Sequence, residues 1–164
     1  MAKIGTLICD ANILIDYMLD RGKILRLATK HCYDIYITRQ VLEEVRQLDE
    51  AAVENLGIKI IDPEISQLME AIEDNSSLSP VDNLCFILAR DNSWICATNE
   101  KSLYNKCIRE KVRVIRGLKI MLELTSANVL SKGDAINIAD MIKDANKRIT
   151  DEVIKNFKNM LDKI

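Results

Sequence analysis

Apolar residues along the chain alternate between short continuous bursts and longer stretches with helical spacing. Residues 3–9 (KIGTLIC) run apolar into Asp10 and read as a buried strand. Residues 11–29 place Ile13, Leu14, Tyr17 and Met18, then Ile24, Leu25 and Ala28, at helical intervals, with a break near Arg21 and Gly22. Residues 34–38 (DIYIT) alternate and are β-branched, which predicts a second strand. Residues 40–55 read as one helix with Val41, Leu42, Val45, Leu48 and Ala52 on one side. A third strand is predicted at 58–61 (IKII), stopped by Asp62-Pro63, and a helix at 64–74. Ser79-Pro80-Val81-Asp82 is a helix start, with Ser at the cap, Pro in the first turn and an acid three residues after the cap. That helix is expected to reach about Arg90. Strands follow at 94–98 (WICAT) and 112–115 (VRVI), with a helix between them. From Gly117 the spacing is helical to the end, broken near 131–133 and 148–150.

Strands alternating with helices at this spacing predict βαβ units and an α/β fold built on a parallel sheet. Open sheets of that kind bind ligands beyond the carboxyl ends of their strands. The residues at those ends are Asp10, Thr98-Asn99-Glu100 and Arg116-Gly117.

Composition narrows the chemistry. A chain of 164 residues, 48% hydrophobic and 29% charged, with two Pro and five Gly, is a folded chain of about one-domain size and not a disordered one. No apolar run approaches the roughly 20 residues of a membrane helix, and an acid as early as Asp10 argues against a signal peptide. The five cysteines are odd in number and form no C-x-x-C pair; three lie inside apolar runs. They read as reduced core residues of a cytoplasmic protein. A single histidine, His31, leaves little room for a zinc site or a histidine-based triad, so carboxylates are the candidates for chemistry. Charge is unevenly divided: residues 1–100 hold nine Lys/Arg against seventeen Asp/Glu, and residues 101–164 hold fourteen against eight.

Four acidic motifs occur in order: Asp10 in ICDANILID, Glu44 in VLEEV, Asp82 in SPVDNLCFILAR and Glu100 in ATNEKSL. Each has a plain structural reading alone. Asp82 can complete a cap begun by Ser79, Asp10 can cap the helix starting at Ala11, and Glu44 and Glu100 can be solvated. Asp16 and Asp20 are read as solvated, His31 as a surface or satisfied histidine, and Trp94 as core. Taken together, the four motifs over residues 1–119 resemble the PIN domain family, the fold of VapC-like and PilT N-terminus-type ribonucleases. The resemblance implies a three-layer α/β/α domain and a Mg²⁺- or Mn²⁺-dependent nuclease. Its catalytic and metal-holding acids would be Asp10, Glu44, Asp82 and Glu100. Glu100 stands where the family usually has Asp, one methylene shorter. Asn12 and Asn99 match supporting polar positions, Thr98 a turn cap, and Glu43 is the register alternative to Glu44. Elementary chemistry agrees: Mg²⁺ and Mn²⁺ prefer oxygen ligands. Two carboxylates about 4 Å apart repel by about 4 kcal/mol at an effective dielectric near 20, which a cation relieves.

Lys101, Lys106, Arg109, Lys111, Arg113, Arg116 and Lys119 follow the fourth acid directly. Of these, Lys101, Lys106, Arg109, Arg113 and Arg116 are the candidates for holding a phosphodiester strand. At 4% aromatic content, base stacking is not expected to dominate. Residues 120–164 are expected to form a helical extension, packed on the domain or used for association. The resemblance implies RNA as substrate and leaves open a role as the toxin of a toxin–antitoxin pair with an antitoxin protein; a homodimer is the expected assembly. The alternative is a catalytically silent PIN protein that binds RNA or a protein. A phospho-receiver fits poorly, since only Asp62-Pro63 follows the third strand.

Overall fold

The structure, a computed structural model, describes residues 2–164. Five strands, β1 Gly5–Cys9, β2 Tyr33–Thr38, β3 Lys59–Ile61, β4 Ile95–Ala97 and β5 Val114–Ile115, form one parallel sheet in the order β3-β2-β1-β4-β5. The chain builds outward from β1 to β3, then returns to the other side of β1 for β4 and β5. The switch point therefore lies between β1 and β4, where such sheets open a crevice at their carboxyl edge. Register makes this specific: Cys9 pairs with Ala97, so the next residues, Asp10 and Thr98, emerge side by side. Leu7, Ile8 and Cys9 of β1 are all fully buried, as a central parallel strand covered on both faces requires.

Ten helices connect and cover the strands among the described residues: α1 Ala11–Met18, α2 Lys23–His31, α3 Arg39–Glu44, α4 Glu50–Asn55, α5 Ile65–Glu73, α6 Pro80–Asn92, α7 Lys101–Arg109, α8 Leu118–Ser126, α9 Lys132–Ala145 and α10 Asp151–Asp162. α6 lies along the sheet with α5 and α7 beside it; α1, α2, α8, α9 and α10 form the second helical layer. This is the expected three-layer α/β/α arrangement. Residues 120–164 are fastened to the rest: α8 packs on α2, α9 on α1 and α8, and α10 on both α8 and α9. Ile138, Ile142, Ile154, Phe157 and Leu161 enter the common core.

Two boundaries differ from the sequence reading. The helix expected over 40–55 is two helices, because Val45 turns extended and Asp49 starts a new one by accepting the Ala52 N–H at 2.8 Å. The break expected at 131–133 lies earlier: Asn128 is left-handed, Ser131 caps α9, and Gly133 sits inside it. The break at Arg21-Gly22 holds, both residues having positive φ. All five cysteines are free and buried, and no described helix is long and apolar enough to cross a membrane. Trp94 is half-buried and stacks on Tyr36 with centroids 4.5 Å apart.

Candidate active site

Asp10 is the centre of the site. It is 0% exposed and caps α1, its Oδ1 accepting the Ile13 N–H at 3.0 Å. Its Oδ2 accepts the Thr98 hydroxyl, and that hydroxyl in turn accepts the Glu100 N–H at 2.9 Å. Thr98 thus does two things: it shapes the turn after β4 and orients the Asp10 carboxylate. Burial pushes the Asp10 carboxyl up to about 7; the bonds from Thr98 and Ile13 oppose this, and the charges of Asp82 and Asp16 add to it.

The other acids reach the same edge from separate elements. Asp82 stands in the first turn of α6, and its N–H donates to Ser79 Oγ at 3.1 Å. One turn on, the Cys85 thiol points at the Cys9 carbonyl, 3.9 Å away, which ties this end of α6 to the end of β1. Burial and the Glu100 charge raise the Asp82 carboxyl, while Ser79 and Arg148 hold it down. Glu44 ends α3, which begins at Thr38 on the carboxyl end of β2. It remains open to solvent, yet partial desolvation and the charge of Asp82 raise it. Asp10, Glu44 and Glu100 therefore all act electrostatically on Asp82 or feel it. No three His, Cys, Asp or Glu among the described residues close into a preformed metal cage. Mg²⁺ does not need one, since it commonly uses one or two carboxylates and keeps several waters. The donor set fits such an ion: oxygen-only, mutually repelling, and centred on a buried carboxyl with one oriented lobe.

Several positions differ from expectation. Asp16, read as solvated, is 6% exposed and belongs to the site's wall. Asn99 Nδ2 donates to it at 3.3 Å, and Asn146 Nδ2 spans both its oxygens at 3.0 and 3.1 Å. Burial raises its carboxyl, and the two asparagines and Arg148 counter that. Asp16 stands three residues after buried Ile13, so its place on the inner face of α1 follows from helical spacing. Asp20 is half-buried, and its Oδ2 accepts the Ile24 N–H at 3.3 Å. Asn12 is half-buried and makes no side-chain hydrogen bond among the described residues.

Of the five basic candidates, the structure brings two to the site. Lys101 and Arg116 line a cleft of about 530 Å³ beside Glu100, together with Asn99, Asn105 and Arg148; Arg116 stacks on the Tyr104 ring at 4.1 Å. Lys106 points elsewhere: it is ion-paired to Asp74, bonds Asn83 Oδ1 at 2.7 Å and sits over the Phe86 ring. Arg109 is at the far end of α7, and Arg113 precedes β5 and bonds the Ser93 carbonyl at 2.9 Å, at the opposite edge of the sheet. Sequence reasoning also missed Arg148, whose Nη2 lies 3.0 Å from Glu100 Oε2. The pair is partly open to water, so it is worth about 1 kcal/mol or less.

Gly117 closes the site from β5. Its N–H donates to Asn99 Oδ1 at 2.9 Å and its carbonyl accepts the Tyr17 hydroxyl. A Cβ there would lie 2.8 Å from Ile13 Cδ1 and 3.0 Å from Asn99 Nδ2, although the backbone is ordinary right-handed. Gly117→Ala is expected to cost about 1–3 kcal/mol by crowding alone. Thermal melting checks this: a fall of several degrees is expected, and an unchanged midpoint would mean that Asn99 and Ile13 move aside freely.

A parallel sheet between two helical layers, with carboxylates at the carboxyl edge of its switch point, defines the class of fold. A family model described as PIN domain matches residues 6–163, and the chain belongs to that family, generally a metal-dependent nuclease fold. Among solved structures, the chain is similar to a PilT N-terminus domain protein from the hyperthermophilic archaeon Sulfolobus solfataricus P2. That similarity has a TM-score of 0.51 and 13% identity, over 77% of this chain and 94% of the other. At that identity it speaks for the fold. No curated protein matches the chain.

Proposed function

We propose that the protein is a Mg²⁺- or Mn²⁺-dependent endoribonuclease, with a toxin–antitoxin pair as one setting for that activity. The observation that carries the reading is Asp10: a fully buried carboxyl, fixed by Thr98 and Ile13, that feels a second acid across the switch point. Beyond its part as the cap of α1, such a group is costly to ionise where it sits, and a bound cation would relieve that cost. Asp10, Glu44, Asp82 and Glu100 are the residues that would hold the ion. When bound, a divalent ion supplies an activated water and offsets the charge that builds on the phosphate. Thr98 keeps Asp10 oriented, and Lys101 and Arg116 offset the repulsion between an acidic cleft and an incoming polyanion.

Partners belong to the same proposal. α5 leaves Ile65, Met69 and Ile72 largely exposed on one helical face, which supports a protein partner, whether an antitoxin or a second copy of the chain. The silent-module reading draws on one observation, the Arg148–Glu100 pair, which places a cation where a metal ligand is expected.

Asp82→Ser separates a metal-holding role for Asp82 from a helix-capping one. Serine suits the first turn of a helix but cannot replace a carboxylate at a metal. Titration with Mn²⁺ is expected to show lost affinity, together with lost cleavage and a stability change well under ~1 kcal/mol. Retained affinity with a clear drop in melting temperature would leave Asp82 as a helix cap and remove it from the metal-holding set.

A further inference from the structure

The loop between α9 and α10 enters the site from the far end of the chain. Three fastenings hold it there. Asn146 donates to both oxygens of buried Asp16, its own Oδ1 accepts the Arg148 N–H at 3.0 Å, and Ile149 is buried at 6% exposure. The backbone of Arg148 is therefore fixed, while its side chain is half exposed and, among the described residues, ion-paired to Glu100 alone. That pair lies on the wall of the 530 Å³ cleft, where Lys101 and Arg116 also present their charges. Three cations thus line one cleft, and the charge of Arg148 reaches Asp16 and Asp82 as well as Glu100.

We propose that Arg148 is a substrate-binding residue that exchanges partners. In the free protein it rests on Glu100; when a phosphodiester strand enters the cleft, the guanidinium leaves Glu100 for a phosphate. Arginine suits that exchange. Its planar fork binds a phosphate through two parallel hydrogen bonds, and a half-exposed carboxylate pair is weak enough to be broken for it. The exchange frees Glu100 as the strand arrives, so one residue links strand binding to the completion of the acidic set. The C-terminal extension thereby contributes part of the site and is not merely appended to it. This inference rests on the nuclease reading and names a residue outside the motifs that suggested it.

Arg148→Ala gives two effects of opposite sign in the full-length chain. Without RNA, the otherwise wild-type variant should bind Mn²⁺ about threefold or more tightly, because a unit positive charge no longer competes at Glu100. In an Asp10→Asn background that cannot cleave, single-stranded RNA should bind about fivefold more weakly at 0.1 M salt. The slope of log K against log salt should shrink by roughly 0.7, one phosphate contact. Arg148→Lys, which keeps the charge, should recover most of that slope. Melting temperatures confirm that the variants fold. If wild type binds both Mn²⁺ and RNA while Arg148→Ala changes neither, or weakens Mn²⁺ binding, the assignment is overturned alone. If wild type binds neither, it falls together with the nuclease reading.

Discussion

Asp10→Asn should abolish cleavage and at the same time make the metal-free protein more stable near pH 8. The Asp10 carboxyl is raised by burial to about 7 from an ordinary 3.8. Folding therefore favours its protonated form. That contribution to stability is fully present below about pH 4, and it is lost as pH rises from there through 7. Over that interval the loss amounts to about 4 kcal/mol. Asparagine cannot ionise and has nearly the same shape. Its carbonyl oxygen can still accept the Ile13 N–H, and its amide can donate to the Thr98 hydroxyl oxygen. Denaturant unfolding in EDTA between pH 5 and 8 should show a falling curve for wild type and a much flatter one for the variant. Equal pH slopes would mean that Asp10 is not the buried ionisable group of the site. Mn²⁺ should restore the stability of wild type at pH 8 and leave the variant unchanged, because a ligand that binds only the native state stabilises it.

Lys106→Ala should lower stability by about 2 kcal/mol and leave the salt dependence of RNA binding unchanged, the reverse of what its place in the basic segment suggests. Its ammonium is ion-paired to Asp74 and bonded to Asn83 Oδ1, and its charge sits 4.6 Å from the centre of the Phe86 ring. Removing it strands a buried amide oxygen and a partly buried carboxylate. Lys106 is also the main reason the Asp74 carboxyl is lowered to about 2. A lowered acid contributes stability that is present above its ordinary 3.8 and lost as pH falls toward 2. The variant should therefore lose much of that acid-side dependence. Unfolding curves at pH 7 and pH 3, beside RNA titrations at several salt concentrations, check both halves. A reduced salt slope with unchanged stability would return Lys106 to the RNA surface.

The contrast between Lys106 and Arg148 shows where the sequence was legible. Strand ends are local: an apolar burst ending in Asp10, or WICAT ending in Thr98, marks the carboxyl edge without knowledge of the rest of the chain. Parallel pairing then brings those ends together, because Cys9 and Ala97 share a register. The order of the acids was readable for the same reason, and so was the helix start at Ser79. Lys106 was misread because charge spacing on α7 does not reveal Asp74 on the loop after α5, thirty-two residues earlier. Arg148 and Asn146 were missed because their partners Glu100 and Asp16 lie 48 and 130 residues away, and nothing in the local pattern marks them. Asp16 lay between these cases. Its spacing from Ile13 places it on the inner face, but a buried acid is uncommon enough that solvation was the natural reading.

On the proposed reading, carboxylates at the switch point hold a divalent ion with which RNA is cleaved. The most direct measurement is cleavage of a single-stranded RNA by wild type and by Asp10→Asn, each with Mg²⁺ or Mn²⁺ and again after EDTA. Wild type should cut internal phosphodiester bonds only with the ion present and recover when the ion is returned, while the folded variant should cut nothing. Equal cleavage by the two proteins, or cleavage by wild type that survives EDTA, would contradict the assignment of these acids.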